Sequence, residues 1–245
     1  MFHIRTVLAL ATIALSASSH AQGTAAAQTE PAYLPTAVSA QVEPYFIVTR
    51  IDGRKCAYPM CGGYFVKAVN KATTRCADGR LAKECHAVEL DTRALGWNDA
   101  QRATFERAFS EGKALVKGAL TQQPLGHSTG NVLRVSEAWQ GQSGHKRPLG
   151  TFYSLKNNGI VCIQAPCPAF SLSQLNRPAR ERTIDMPDFS LSGATEEAIQ
   201  AAWVALEQAP ILAVGVVVPF PAGGLQGTVY GQKLLTSEFY LPAKP

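Results

Sequence analysis

Three kinds of residue in this chain could carry chemistry: six cysteines, one G-x-S-x-G pentapeptide, and a few histidines and glutamates. The cysteines stand at positions 56, 61, 76, 85, 162 and 167, and two of the spacings are C-x4-C. Thiols so placed either close short loops as disulfides or hold a metal. A zinc site from Cys56, Cys61, Cys76 and Cys85, with His86 beside them, is disfavoured. Structural zinc sites space paired cysteines about two to four apart, and Cys76 and Cys85 stand further apart than that. A catalytic thiol needs an unpaired cysteine with an activating neighbour, a still narrower requirement.

Gly126-His127-Ser128-Thr129-Gly130 matches the nucleophile-elbow pattern. That mechanism requires a strand before the serine and a helix after it, whereas this match falls between two predicted strands. The corresponding loop further on, Ala222 to Gly227, has no serine, so no catalytic role is assigned to Ser128. His86, His127 and His145 form no recognisable pair with a carboxylate and read as surface residues. Glu137 and Glu238 lie in alternating stretches beside large aromatics, which predicts solvent-facing strand positions. Arg177, Arg180 and Arg182 make a small basic cluster, either solubilising surface or a seat for an anionic ligand. No catalytic residue, metal ligand or cofactor is assigned. Candidate binding loops are the cysteine-framed tips, Tyr58-Pro59-Met60 and Gln164-Ala165-Pro166. Proline-containing closed tips lower the entropy cost of association. The alternative is that the tips fold back and cap a sheet edge.

The elements that carry these residues occur twice. YFIVTRIDGRKCAYPMCGGYFVKAVN from Tyr45 and TFYSLKNNGIVCIQAPCPAFSLSQLN from Thr151 align without a gap. One offset of 106, Gly53 to Gly159, pairs Phe46 with Phe152, Cys56 with Cys162, Cys61 with Cys167 and Asn70 with Asn176. Farther on the offset is 97, Asn98 to Thr195, which also pairs Gly118 with Gly215. Near the end it is 101, Glu137 to Glu238. Such self-similarity implies a tandem duplication. The offset shortens because the first copy carries nine extra residues between Asn70 and Asp91, in the stretch holding Cys76 and Cys85. An insertion that brings two cysteines suggests that they pair with each other. The expected bridges are therefore Cys56–Cys61, Cys76–Cys85 and Cys162–Cys167. Rings this short contribute roughly 2–3 kcal/mol each on the chain-entropy model.

Each copy reads strand, strand, strand, helix, strand, strand. In the first, strands are expected at Tyr45–Ile51, Gly62–Val69, His86–Asp91, Ala114–Leu120 and Asn131–Trp139. Asn98, answered by Gln101, should cap a helix that buries Phe105, Ala108 and Phe109 and stops at Gly112. In the second, Thr195 caps a helix with Ile199, Ala202, Trp203 and Leu206 as its stripe, and Pro210 bars its continuation. The fold class is α+β, mainly β: two tandem repeats whose element order is that of OB-like barrels. Two open sheets, each covered by a helix, share that order.

The expected layout is a signal peptide at 1–21, a flexible leader at 22–42, repeat unit 1 at 43–140, a linker at 141–149, repeat unit 2 at 150–241 and a tail at 242–245. Arg5, the apolar run Val7 to Leu15 and the small residues before Gln22 make up the signal, with cleavage near Ala21. That apolar run is too short for a membrane span of about 20 residues. Removing the signal takes Arg5 and no acidic residue from 23 basic and 18 acidic groups, leaving a weak net +4. Nucleic-acid binders carry a clustered basic stripe that is absent here.

CAYPMCGGYFVKAVN, the TRCADG of Thr74 to Gly79 and CIQAPCPAF together resemble an uncharacterised family of exported bacterial proteins, a domain of unknown function. The likeness covers most of Tyr45 to Tyr240. It implies bacterial export and supplies no catalytic residue, ligand or partner. The expected function is a periplasmic or secreted, non-enzymatic binding or interaction module whose partner is an exported protein or a glycan. One alternative is an inhibitor of a secreted hydrolase acting through a cysteine-framed loop. Another is an enzyme with its site between the two repeats.

Overall fold

The computed structural model describes residues 42–143, 148–224 and 227–243. Among them the fold is mainly β, with two α-helices, one twelve-stranded sheet and a separate two-stranded hairpin. The expected signal peptide, nearly all of the leader, and His145 in the linker lie outside the described residues.

In the first half, β1 (Tyr45–Ile51) is rich in β-branched and aromatic residues that suit a pleated surface. Its Phe46 and Val48 alternate inward and are buried. Next come β2 (Tyr64–Ala68), the small hairpin β3 (Thr74–Arg75) and β4 (Leu81–Ala82), β5 (Cys85–Ala87) and β6 (Glu89–Asp91). Helix α1 (Asp99–Ser110), β7 (Ala114–Leu125) and β8 (Ser128–Gly141) complete the half. β1 lies between β2 and β7, β7 pairs with β8, β8 with β6 and β5 with β2. Because β5 and β6 are nearly continuous, the partners return to β1 in a ring. The third strand expected at His86–Asp91 is split at Val88. There the chain leaves its antiparallel partner β2 for its parallel partner β8, and Val88 donates to the Asn131 carbonyl at 2.8 Å. The last hairpin is longer than expected at its tip, with Gly126-His127 as a tight turn.

α1 closes the end of this ring. Asn98 and Gln101 exchange side-chain and backbone hydrogen bonds at 3.0 and 2.9 Å, the reciprocal cap the spacing predicts. Phe105 and Phe109 bury one face against Phe46, Val66, Val116 and Leu133.

The second half consists of β9 (Thr151–Asn157), β10 (Phe170–Gln174), β11 (Arg182–Ile184), β12 (Met186–Asp188), α2 (Glu196–Gln208), β13 (Ile211–Gly224) and β14 (Gly227–Pro242), and no hairpin like β3 and β4 is found among its described residues. Its pairings also return to their start, and its split third strand turns at Asp185, whose N–H meets the Gln232 carbonyl. Thr195 caps α2; Ala202 and Leu206 are buried, while Ile199 and Trp203 are only partly covered. β13 and β14 carry the same bulge as β7 and β8, at Gly215 and Gly118 respectively. A Cβ at either glycine would enter the carbonyl of Leu235 or Arg134.

The halves join through a third core, formed by Val69 and Leu115 with Phe152, Leu175, Leu212, Val214 and Tyr240. β8 and β14 pair across it: Tyr240 with Gly141, Leu241 with Gln140 and Pro242 with Trp139. The gapless offset of 106 needs correction here. The β1–β2 register slips at Thr49, whereas the β9–β10 register does not slip. By register Phe46, opposite Ala68, matches Tyr153, opposite Gln174; Phe152 matches Tyr45 instead. The bulge lets Phe46 fill the core of its own half while Tyr45 packs against the joint.

Candidate functional site

The first cysteine-framed loop is closed by the Cys56–Cys61 disulfide and anchored at its base by Asp52. Asp52 folds back on its own turn, accepting from the Arg54 N–H at 3.2 Å as aspartates do at tight turns. The Arg54 guanidinium pairs with the same carboxylate, Nη2 to Oδ2 at 2.8 Å, and donates to the Met60 carbonyl at 3.0 Å. Arg54 therefore straps the far side of the loop to its base. His86 Nε2 lies 3.2 Å from Asp52 Oδ2 and 2.8 Å from the Gly62 carbonyl. The Asp52 side chain is wholly buried, and the hydrogen bonds from Arg54 hold its carboxyl well below the usual carboxylate range despite desolvation. His86 is thus a half-buried partner of a carboxylate and not the isolated surface residue expected. Strand pairing between β2 and β5 brings it there, and spacing alone carries no such signal.

The two readings of this tip divide by residue. Pro59 folds back and is buried beside Gly130, where a Cβ would come within 3.2 Å of the proline ring. Tyr58 and Met60 face outward, 58% and 69% exposed, with the Tyr58 hydroxyl 3.4 Å from Glu89 Oε2. In the second tip, closed by Cys162–Cys167, Asn157 and Asn158 accept from the N–H groups of Gly159 and Ile160 at 2.9 and 3.0 Å. Gln164 and Ala165 are exposed and Pro166 is half-buried. The most exposed apolar side chains here are Val161, at 94%, and Ile163, fully exposed; nothing in the spacing of the loop marks Val161.

Cys76 and Cys85 form the third bridge, so all six cysteines are in disulfides. Among the described residues, no cluster of three or more His, Cys, Asp or Glu side chains could hold a metal ion. Ser128 opens β8 directly after a tight turn, with a strand on either side, so the elbow geometry is absent. Glu238 corrects another expectation: it is 1% exposed, not solvent-facing. It accepts from the N–H groups of Gln142, Ser143 and Phe239 and from the Ser143 hydroxyl. Burial pushes its carboxyl above the ordinary range, opposed by these donors. Its counterpart Glu137 is half-exposed and bound by Lys117 Nζ at 2.6 Å. The basic cluster is dispersed: Arg177 donates to the Asn70 carbonyl, Arg182 to Gln232 Oε1, and Arg180 is exposed.

A cleft of about 780 Å³ opens where the halves meet. Tyr45, Phe46 and Leu175 line it from both halves, and Thr74, Arg75 and Leu81 of the inserted hairpin line it from the side. Lys71 and Arg177 also reach it; among the described residues its one carboxylate is Glu43, and no histidine lines it.

A mainly β domain closed by three disulfides is the class that these features define. The chain belongs to the family described as a domain of unknown function (DUF6748), whose model matches residues 45–245. No curated protein and no solved structure matches it.

Proposed function

We propose that this protein is an exported, non-enzymatic binding module made of two copies of one OB-like unit. In this reading residues 43–140 and 150–241 are the copies and 141–149 their linker. It engages another exported protein through its cysteine-framed loops. The observation that carries it is the outward display of Val161 and Ile163 beside Cys162, with Tyr58 and Met60 on the matching loop. Large apolar side chains on a covalently closed loop lose less freedom on docking than they would on an open one, and this preorganisation lowers the cost of association. The ring of strand pairings in each half supports the OB-like reading. Three disulfides suit an oxidising compartment, which supports a periplasmic or secreted location reached through a signal ending near Ala21. Among the described residues no helix is long and apolar enough to cross a membrane.

The narrower reading, inhibition of a secreted hydrolase, draws on the same convex loops. The reading of an enzyme between the halves finds less support, since among the described residues the cleft brings one carboxylate and no histidine. The test is photo-crosslinking in periplasm and culture medium from probes placed at Val161 and Met60. A discrete protein adduct, lost when Ile163→Asp is added with the thermal midpoint unchanged, supports the proposal. Adducts that are absent, or indifferent to Ile163→Asp, defeat it.

A further inference from the structure

We propose that the cleft between the halves is a binding site for a small anionic amphiphile, a carboxylate or phosphate head on an apolar body. This site is separate from the cysteine-framed loops and does not rest on their reading. Its volume of about 780 Å³ falls in the range of about 300–1,000 Å³ typical of small-molecule sites. Its lining is graded. Tyr45, Phe46 and Leu175 supply an apolar base at the joint, where Leu175 and Phe46 are otherwise core residues.

The charged part of the lining has one dominant sign. Lys71, Arg75 and Arg177 reach the cleft, and among the described residues none of them pairs with a carboxylate. Arg177 is held across the joint by its Nε, which donates to the Asn70 carbonyl at 2.7 Å. That bond leaves both terminal amino groups of the guanidinium for a ligand, and a guanidinium suits the flat oxygens of carboxylate and phosphate. Glu43, the opposing charge, is engaged by the Ser136 hydroxyl.

The inserted hairpin gives the second observation. Leu81 is 64% exposed although it sits beside the Cys76–Cys85 staple on a hairpin that borders the cleft. The second half has no corresponding insertion, and the hairpin's Thr74, Arg75 and Leu81 form a wall that only the first half supplies. An apolar side chain left uncovered beside Arg75, whose one side-chain hydrogen bond among the described residues is to the Gly79 carbonyl, fits a ligand that is apolar along its length and anionic at one end.

The test uses the oxidised protein and isothermal titration with four twelve-carbon probes: laurate, dodecyl phosphate, dodecanol and dodecyltrimethylammonium. Laurate, dodecyl phosphate or both should bind, at least ten-fold tighter than the neutral and cationic probes; which of the two binds tighter identifies the head. Lys71→Met and Arg177→Met should each weaken that binding about ten-fold, the scale of one charge-assisted hydrogen bond. Leu81→Ser should weaken it less, and Ile163→Asp, at a residue that does not line the cleft, should leave it unchanged. Circular dichroism confirms the fold of each variant. The proposal is overturned if neither anion binds, if dodecanol binds as well as the tighter of the two anions, or if the double variant Lys71→Met/Arg177→Met binds that anion like the parent.

Discussion

Asn70 and Asn176 hold the two halves together by the same exchange of hydrogen bonds, each reaching into the other half. Asn70 accepts from the Phe152 N–H at 3.0 Å and donates to the carbonyls of Phe152 and Leu175 at 2.7 and 3.0 Å. Asn176 accepts from the Tyr45 N–H at 2.8 Å and donates to the carbonyls of Tyr45 and Val69 at 2.8 and 3.0 Å. Both sit in the left-handed region, at φ 58° and 59°, which asparagine tolerates better than other side-chain-bearing residues. The amide is the one side-chain group that can satisfy an N–H and two carbonyls at once.

Asn70→Ala or Asn176→Ala should therefore lower unfolding free energy by about 3–4 kcal/mol, from hydrogen bonds near 1 kcal/mol each and added backbone strain. Asn70→Gly removes the bonds without the strain and should cost about 1 kcal/mol less than Asn70→Ala. The double alanine variant should fall short of the sum, because both residues hold one joint. Urea titration measures all four. Equal losses for Gly and Ala would show that strain plays no part.

Local chemistry was readable in the sequence, and long-range packing was not. The disulfide plan, the cap of Asn98 with Gln101, and the matched glycines at 118 and 215 all leave marks within a few residues or at a fixed offset. The Thr49 bulge left none, since one inserted strand residue changes neither composition nor the cysteine spacing. Alternation placed Glu238 on a strand but could not show that residues 142 and 143 fold over it. The cleft was invisible for a related reason: its lining comes from both halves, and only the joint brings them together.

Asp52 should make the protein sensitive to acid through its loop. Its folded pKa is depressed by Arg54, so the unfolded chain takes up the proton first. The stabilisation is present above the ordinary value of 3.8 and is lost as pH falls through the lower folded value. Asp52→Asn should melt earlier than the parent at pH 7, and the gap should close on acidification. A gap that stayed constant with pH would assign the loss to packing instead of charge.

Gly118→Ala and Gly215→Ala should each cost about 1–3 kcal/mol, the range for forcing atoms into a packed site. The neighbours that a Cβ meets are the backbone carbonyls of Arg134 and Leu235, which cannot swing aside as a flexible side chain would. Gly53→Ala, where nothing stands within 4 Å, is the matched control and should change stability by less than about 0.5 kcal/mol. Chemical denaturation of the three variants decides the matter.

Glu238 should give the opposite pH signature to Asp52. Burial raises its carboxyl above the ordinary 4.5, so the folded protein holds this proton more tightly than the unfolded chain. Its contribution is complete below 4.5 and shrinks as pH rises through the folded value. Glutamine resembles the protonated acid, keeping one oxygen for the N–H groups of Gln142 and Ser143 while carrying no charge to desolvate. The stability of Glu238→Gln relative to the parent should therefore climb with pH across that window and level off above it. Thermal melts of both proteins from acid to neutral pH test this. A difference that fell with rising pH would mean that the four donors around the carboxylate outweigh its burial, and that the ionised form is the one this pocket was shaped to hold.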